Sequence, residues 1–313
     1  MVFPVTVLQT QVEALLGQLP AVRDADVEGV HAARVATRRL REALPLFSRS
    51  YPDDVKRVKK LVKRAGRRLG RVRELDVMDE GLTRRAGRMP MARHAVDAAR
   101  KTLARRRDRA RRRLIKLFDS LRLDRRDQLR LRHRGDWWHP FGGPARGWTA
   151  LLWERIERRA NDLNRAIDHA GGVNFPNRLH AVRVAAKKLR YSAELAGRAG
   201  LWPCGAAVDD LKRTQETLGR LHDAQVLLES MDGLVDGDAG ESEVTLLKDD
   251  LQGEIAERHA KYLEQRDRLR ATAGACAAAA DAIHVKRRPL LPVVALSAVA
   301  VPAGLLLLGA RDR

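Results

Sequence analysis

His31-Ala32-Ala33-Arg34-Val35-Ala36-Thr37-Arg38-Arg39-Leu40-Arg41 returns 149 residues later as His180-Ala181-Val182-Arg183-Val184-Ala185-Ala186-Lys187-Lys188-Leu189-Arg190. Seven of the eleven positions are identical, and Arg38/Lys187 and Arg39/Lys188 keep their charge. A second block repeats in the same register: Leu69-Gly70-Arg71-Val72-Arg73-Glu74 becomes Leu218-Gly219-Arg220-Leu221-His222-Asp223. Because both blocks share one offset, the 27 residues between them have equal length in the two copies. The chain is therefore read as a duplicated structural unit, each copy led by a histidine among cations.

The blocks are helical in period. At about 100° per residue, His31, Arg34, Arg38 and Arg41 share an arc of about 80°, with Ala33, Ala36, Leu40, Leu44 and Phe47 roughly opposite. The copy repeats the division: His180, Arg183, Lys187 and Arg190 on one stripe, Val182, Ala185, Leu189 and Ala193 on the other. Tyr51-Pro52-Asp53-Asp54 reads as a turn and helix start. From Val55 to Val72 a second amphipathic helix carries Lys56, Lys59, Lys60, Lys63 and Arg67 opposite Val58, Leu61, Val62, Ala65, Leu69 and Val72. A third helical region is expected from about Met91 to Arg132, and Arg100 to Arg134 holds sixteen Lys/Arg against four Asp. Gly135 to Gly147, with Pro140, Gly142, Gly143 and Pro144, marks the junction between copies. Helices are expected again over Leu151 to Ile167, from His180, and over Glu243 to Ala282, the last after an acidic connector from Asp232 to Glu243.

Composition fits such a fold. Apolar residues make up 44 % of the 313 residues and aromatics only 4 %, so the core must be built of Ala, Leu and Val packed between helices. The net charge of +21, from 61 Lys+Arg and 40 Asp+Glu, predicts attraction to polyanions. Cys204 and Cys276 have no metal-ligand spacing and are read as ordinary small residues in a reduced compartment. No Lys or Arg precedes Arg23, so no signal peptide is expected. Pro289 to Ala310 is 22 residues without a charge, behind Lys286-Arg287-Arg288. That stretch is expected to be a transmembrane helix with the basic domain on the cytoplasmic face of the cell membrane. The alternative is a hairpin or helix buried against the protein.

Catalytic apparatus is not visible. The chain holds no Gly-x-x-x-x-Gly-Lys-Ser/Thr loop, no His-Glu-x-x-His, no Gly-x-Ser-x-Gly and no Glu-x-Glu-x-Lys. What the chain does hold is a ladder of cations at helical spacing, suited to a polymer charged at every unit. Histidine adds a donor whose charge a bound phosphate chain can induce. A basic stripe is commonly only a solvated face, but Lys56 to Arg73 contains ten cations and no acid, an arrangement that needs an anion to offset it. Leu69-Gly70 and Leu218-Gly219 read as structure, the glycines allowing close helix approach. Arg73-Glu74 and His222-Asp223 read as helix-tying ion pairs. Trp137, Trp138, Phe141, Trp148 and Trp153 read as packing between the copies rather than a base-stacking platform.

At its two blocks the chain resembles the CHAD family, the conserved histidine α-helical domains. The pattern His-x-x-Arg-Val-x-x-[Arg/Lys]-[Arg/Lys]-Leu-Arg is met by His31–Arg41 and by His180–Arg190, the latter followed by Tyr191 and Glu194. The Leu-Gly-x-x-Arg-Asp-like element is met by Leu69–Asp76, with Glu74 where Asp is common, and by Leu218–Asp223. The resemblance covers about residues 1–285. It implies two helical bundles around a basic cavity that binds inorganic polyphosphate, in proteins that often accompany triphosphatase domains or polyphosphate granules. Carried over, the binding groups are His31, Arg34, Arg38, Arg39, Arg41, Lys56, Lys59, Lys60, Lys63 and Arg67 from copy one. Copy two would give His180, Arg183, Lys187, Lys188, Arg190, Lys212 and Arg213. In its second helix Ala206, Val208, Asp209 and Asp210 stand where copy one has Lys56 to Lys60, so a lopsided cradle is expected.

The expectation is thus an all-α protein of two pseudo-twofold-related bundles, about four helices each, over residues 1–135 and 136–285, plus a C-terminal transmembrane helix within 286–313. It is expected to bind polyphosphate without catalysis, cofactor or metal, with nucleic acid as a non-specific competitor. A basic nucleic-acid-binding protein and a polyphosphate-processing phosphohydrolase are the alternatives.

Overall fold

The computed structural model describes residues 4–24, 26–48, 51–122, 129, 145–235 and 240–285. Among them there is helix and no strand. Copy one supplies α1 (Pro4–Gly17), the short α2 (Leu19–Arg23), α3 (Val27–Ala43), α4 (Pro52–Arg88) and α5 (Arg93–Leu121). Copy two supplies α6 (Ala145–Ala170), α7 (Pro176–Arg198), α8 (Gly205–Ser230) and α9 (Glu241–Val285). The first residues of α3 and α7 are themselves 149 positions apart. Within copy one α1 packs on α3, α3 on α4 and α4 on α5; within copy two α6 packs on α7, α7 on α8 and α8 on α9. Between copies like meets like: α3 on α7, α4 on α8 and α5 on α9. That pattern is what a pseudo-twofold axis requires. His94 and Glu243, equivalent positions of the two copies, contact each other directly, Nδ1 to Oε1 at 3.0 Å. Only residues at the axis can do so.

Local chemistry sets the helix ends. Asp26 caps α3, its carboxylate accepting from the Gly29 N–H at 2.6 Å. Pro52 opens α4 with Asp53 and Asp54 in its first turn, where acids complement the helix dipole. The helix then runs well past Val72, since Leu75, Met78 and Leu82 continue the buried spacing. Charges from Arg73 to Glu80 hide that continuation in the sequence. At the other end of the hairpin α5 stops at Leu121, where Arg122 turns left-handed (φ 46°), short of the expected Arg132. Gly29 answers a close approach: a Cβ there would lie 2.5 Å from the Ala21 Cβ. Gly29→Ala is therefore expected to lower stability by about 2 kcal/mol, read as a reduced urea midpoint at unchanged m-value.

The apolar faces meet in one large core drawn from both copies, with Leu40, Val62, Leu69, Trp153, Leu189, Leu218 and Tyr262 among its buried members. A second cluster joins the distal halves of α4 and α8 to the near halves of α5 and α9, through Leu75, Leu82, Leu103, Leu227 and Leu251. Cys204 and Cys276 are buried and free.

One expectation is corrected. Among the described residues no helix is long and apolar enough to cross a membrane. The two longest, α4 and α9, carry charge along their length: α9 buries Tyr262, Leu269, Ala273, Cys276 and Ala280 but has charged residues from Glu241 to Asp281. Among the described residues the fold is all-α, and neither a transmembrane helix nor, with it, the expected single-pass anchor on the cytoplasmic face of the cell membrane is supported. The stretch on which that expectation rested, Pro289 to Ala310, lies outside the described residues, as does most of the expected junction from Gly135 to Gly147.

Candidate functional site

Where α3, α4, α7 and α8 meet, the second turns of the repeated blocks face one another across a cavity of about 260 Å³. Its lining comes largely in pairs of equivalent positions. Arg34 stands opposite Arg183, Arg38 opposite Lys187, Arg73 opposite His222, and Glu74 opposite Asp223. Val77 and Val226 complete the pairing, so the cavity is centred on the pseudo-twofold. His31 and Gly70 also line it. Two further chambers adjoin. One, of about 330 Å³, shares Arg34, Arg38, Arg183, Lys187 and His222 and adds Arg41, Glu42, His180 and Lys188. The other, of about 270 Å³, shares Arg73, Val77 and Asp223 and adds Glu80, Arg84, Arg220 and Glu254. Together they form a groove through the junction of the copies.

The groove is electrostatically overloaded. Burial, with the like charges of Arg38 and Arg183, brings Arg34 down to about 10. Lys187 is pulled to about 6 by burial and then by Arg183, Arg38 and Arg34. His222 falls to about 4, again by burial first, then Arg183, His180 and Lys187. Its ring lies 4.8 Å from that of His180. His31 and His180 are also lowered, chiefly by burial. Asp223 is raised by burial, against the opposing pull of Arg183, Lys187, Arg73 and Arg34. Desolvation thus disfavours charge on every one of these groups, acid and base alike. A multiply charged anion would reverse that for the bases, because each gains a close counter-charge.

A family model for the CHAD domain matches residues 6–232, both copies of the repeated blocks included. The chain belongs to the CHAD family. The fold is similar to the crystal structure of the CHAD domain from the plant Ricinus communis, with a TM-score of 0.57 at 24 % identity over 87 % of this chain and 90 % of that one. It is also similar to PptA from Streptomyces chartreusis, with a TM-score of 0.61 at 17 % identity over 83 % and 96 %. No curated protein matches the chain.

Of the residues carried over from the CHAD pattern, the structure brings His31, Arg34, Arg38, Arg41, His180, Arg183, Lys187 and Lys188 to the groove. Others lie elsewhere. Arg39 and Arg190 both turn to Glu194, at 3.3 and 3.4 Å, and the Arg190 guanidinium stacks 4.8 Å from the Tyr191 ring centroid. The Arg39 pair joins α3 to α7 beside the cavity. Lys56, Lys59, Lys60, Lys63 and Arg67 are exposed on α4 outside the cavity lining. Lys63 nonetheless shares a face with Gly70, two turns away. Its equivalent, Lys212, stands two turns before Gly219 and pairs with Asp209 at 3.4 Å. Arg213 is held by Asp210, which also binds Arg268 at 2.8 Å.

Four lining residues, Arg73, Glu74, His222 and Asp223, were assigned a tying role by the sequence, although their shared offset was the signal that could have placed them. Glu74 pairs with Arg71 at 2.7 Å and Arg73 with Glu80 at 2.7 Å, both within α4, so neither ties one helix to another. Nor do the glycines mark close helix approach. A Cβ at Gly70 would rest 3.7 Å from the Arg34 Cζ, an ordinary contact, and at Gly219 it would meet nothing within 4 Å.

Proposed function

We propose that this protein binds inorganic polyphosphate, without catalysis, in the cationic groove between its two copies. The observation that carries the reading is the twofold pairing of the lining cations, Arg34 with Arg183, Arg38 with Lys187 and Arg73 with His222. Such a site offers basic donors at equivalent positions in either sense along its length. A linear polyphosphate has no chain direction, so it can use both halves alike. A nucleic-acid strand is directional and carries bases, and among the described residues the central cavity has no Trp, Tyr or Phe in its lining, Tyr191 reaching only the adjoining chamber. Membership of the CHAD family, linked to polyphosphate, supports the same reading. Polyphosphate granules are the larger form in which such a ligand would be met. Nucleic acid is then a non-specific competitor, drawn by the exposed cations of α4 and the net charge of +21.

The test is competition. The full-length protein, titrated with long-chain polyphosphate at about 150 mM salt, is challenged with duplex and single-stranded DNA at equal phosphate concentration. Polyphosphate should win by at least about a hundredfold, with its chain length unchanged after incubation with Mg²⁺. DNA competing as an equal would overturn the reading, and shortening of the chain would overturn its non-catalytic part.

A further inference from the structure

The two halves of the cavity are equivalent in position but not in chemistry. Copy one contributes two guanidiniums, those of Arg38 and Arg73. Their partners in copy two are Lys187 and His222, both able to discharge. Resting on the polyphosphate reading above, we propose that Lys187 and His222 form a proton-uptake device, charged by the arriving phosphate chain, so that capture tightens as the pH falls.

The surroundings of the pair explain why. His31, Arg34, Arg38, Arg41 and Glu42 face it from α3, Arg73 and Glu74 from α4. On α7 and α8 the neighbours are His180, Arg183, Lys188, Tyr191 and Asp223. Charged groups of the outer helices are engaged elsewhere: Arg155 and Arg159 of α6 on Glu42, at 3.0 and 3.5 Å, and Glu254 of α9 on Arg85, at 2.5 Å. Cations outnumber acids around a half-buried amine and a half-buried imidazole, and the empty cavity relieves the excess where it can, at the two groups that release a proton. Lys187 drops from 10.5 to about 6 and His222 from 6.5 to about 4. A bound polyanion lifts both back toward or above their ordinary values.

The sign follows from linkage. A group with a higher pKa in the complex than in the empty protein binds a proton on association, and affinity then rises tenfold for each pH unit lowered, per proton. For Lys187 the window opens above about 6. Between pH 7 and 9 it is the group expected to set the slope. For His222 the window opens above about 4 and adds its contribution on the acid side.

The experiment is isothermal titration of the full-length protein with long-chain polyphosphate, whose internal phosphates are fully ionised throughout, in buffers of differing ionisation enthalpy at pH 8. Uptake of about one proton per binding event is expected, with affinity falling about tenfold from pH 7.5 to 8.5. The symmetrised variant Lys187→Arg/His222→Arg should bind at pH 8.5 at least as tightly as wild type at pH 7.5 and lose the proton uptake. Equal heats in all buffers for wild type would overturn the device even if the variant failed to fold, and so would a folded variant that keeps the wild-type slope. Absence of binding at every pH would instead strike the polyphosphate reading itself.

Discussion

Arg34→Gln combined with Arg183→Gln is expected to weaken polyphosphate binding about a thousandfold while leaving the fold as stable as wild type or more so. The two guanidiniums are equivalent positions lining the same cavity, and each is discouraged by burial and by neighbouring cations, against a partial opposing pull from Asp223 and Tyr191. In the empty protein their charge is therefore a burden. With a phosphate chain present each supplies charge-assisted hydrogen bonds worth about 2 kcal/mol, so losing both removes about 4 kcal/mol of binding. Glutamine keeps the side chain's polarity and much of its length, which spares the packing. The reference is Arg39→Gln, one residue along α3 from Arg38 but committed to Glu194 at 3.3 Å. That substitution should change affinity less than about threefold. Filter binding at about 150 mM salt and thermal melts of the empty proteins measure both halves. A double variant that binds like wild type removes the cavity as the site, and loss of binding in Arg39→Gln of similar size would mean that general charge, not position, governs it.

The contrast between Arg34 and Arg39 also shows what the sequence could and could not convey. Periodicity divided α3 into a basic and an apolar face, and the 149-residue offset announced the duplication, because both are carried by local residue order. Which basic residues reach the cavity depends on what stands opposite. Glu194 captures Arg39 and Arg190 from two different helices, and Asp210 captures Arg213. Arg190 with Glu194 and Arg213 with Asp210 have the i,i+4 and i,i+3 spacing of one helix, whereas Arg39 meets a partner on another helix that no stripe on α3 reveals. Arg73 and Asp223 were visible as repeat positions but were read as ties, since adjacency of opposite charges along the chain suggested pairing that the helix geometry then distributed otherwise. Lys187 is the sharpest case. Its letter matches the charge of Arg38, yet its surroundings take that charge away, and burial is a property of packing rather than of pattern. Hydrophobicity at the C-terminus misled in the opposite way, since it was given a membrane role that no described helix supports.

Arg85 carries the second large expectation, and it concerns how the copies are held together. Its side chain is 2 % exposed, deep between α4 of copy one and α9 of copy two. There Nε donates to Asp250 at 2.8 Å, Nη2 to Glu254 at 2.5 Å, and Nη1 to the Gly81 carbonyl at 3.3 Å. Arg88 adds a second, exposed contact to Asp250 at 3.2 Å. Arg85→Ala removes one buried cation and leaves two carboxylates without it, and it opens a void beside the cluster of Leu82 and Leu251. Breaking a buried pair from one side ordinarily costs about 3–5 kcal/mol. Both carboxylates keep some contact with water, at 27 % and 18 % exposure, and so the lower end, about 3 kcal/mol, is expected. Asp250→Asn should cost only about 1 kcal/mol, because Glu254 still satisfies the guanidinium. The pair of substitutions together should cost less than their sum, since each removes part of the same network. Urea denaturation of the three variants, followed by circular dichroism, decides the matter. Strictly additive losses would show that Arg85 acts by filling space alone. A loss below about 1 kcal/mol for Arg85→Ala would show that the copies are joined by their apolar contacts without help from the clamp.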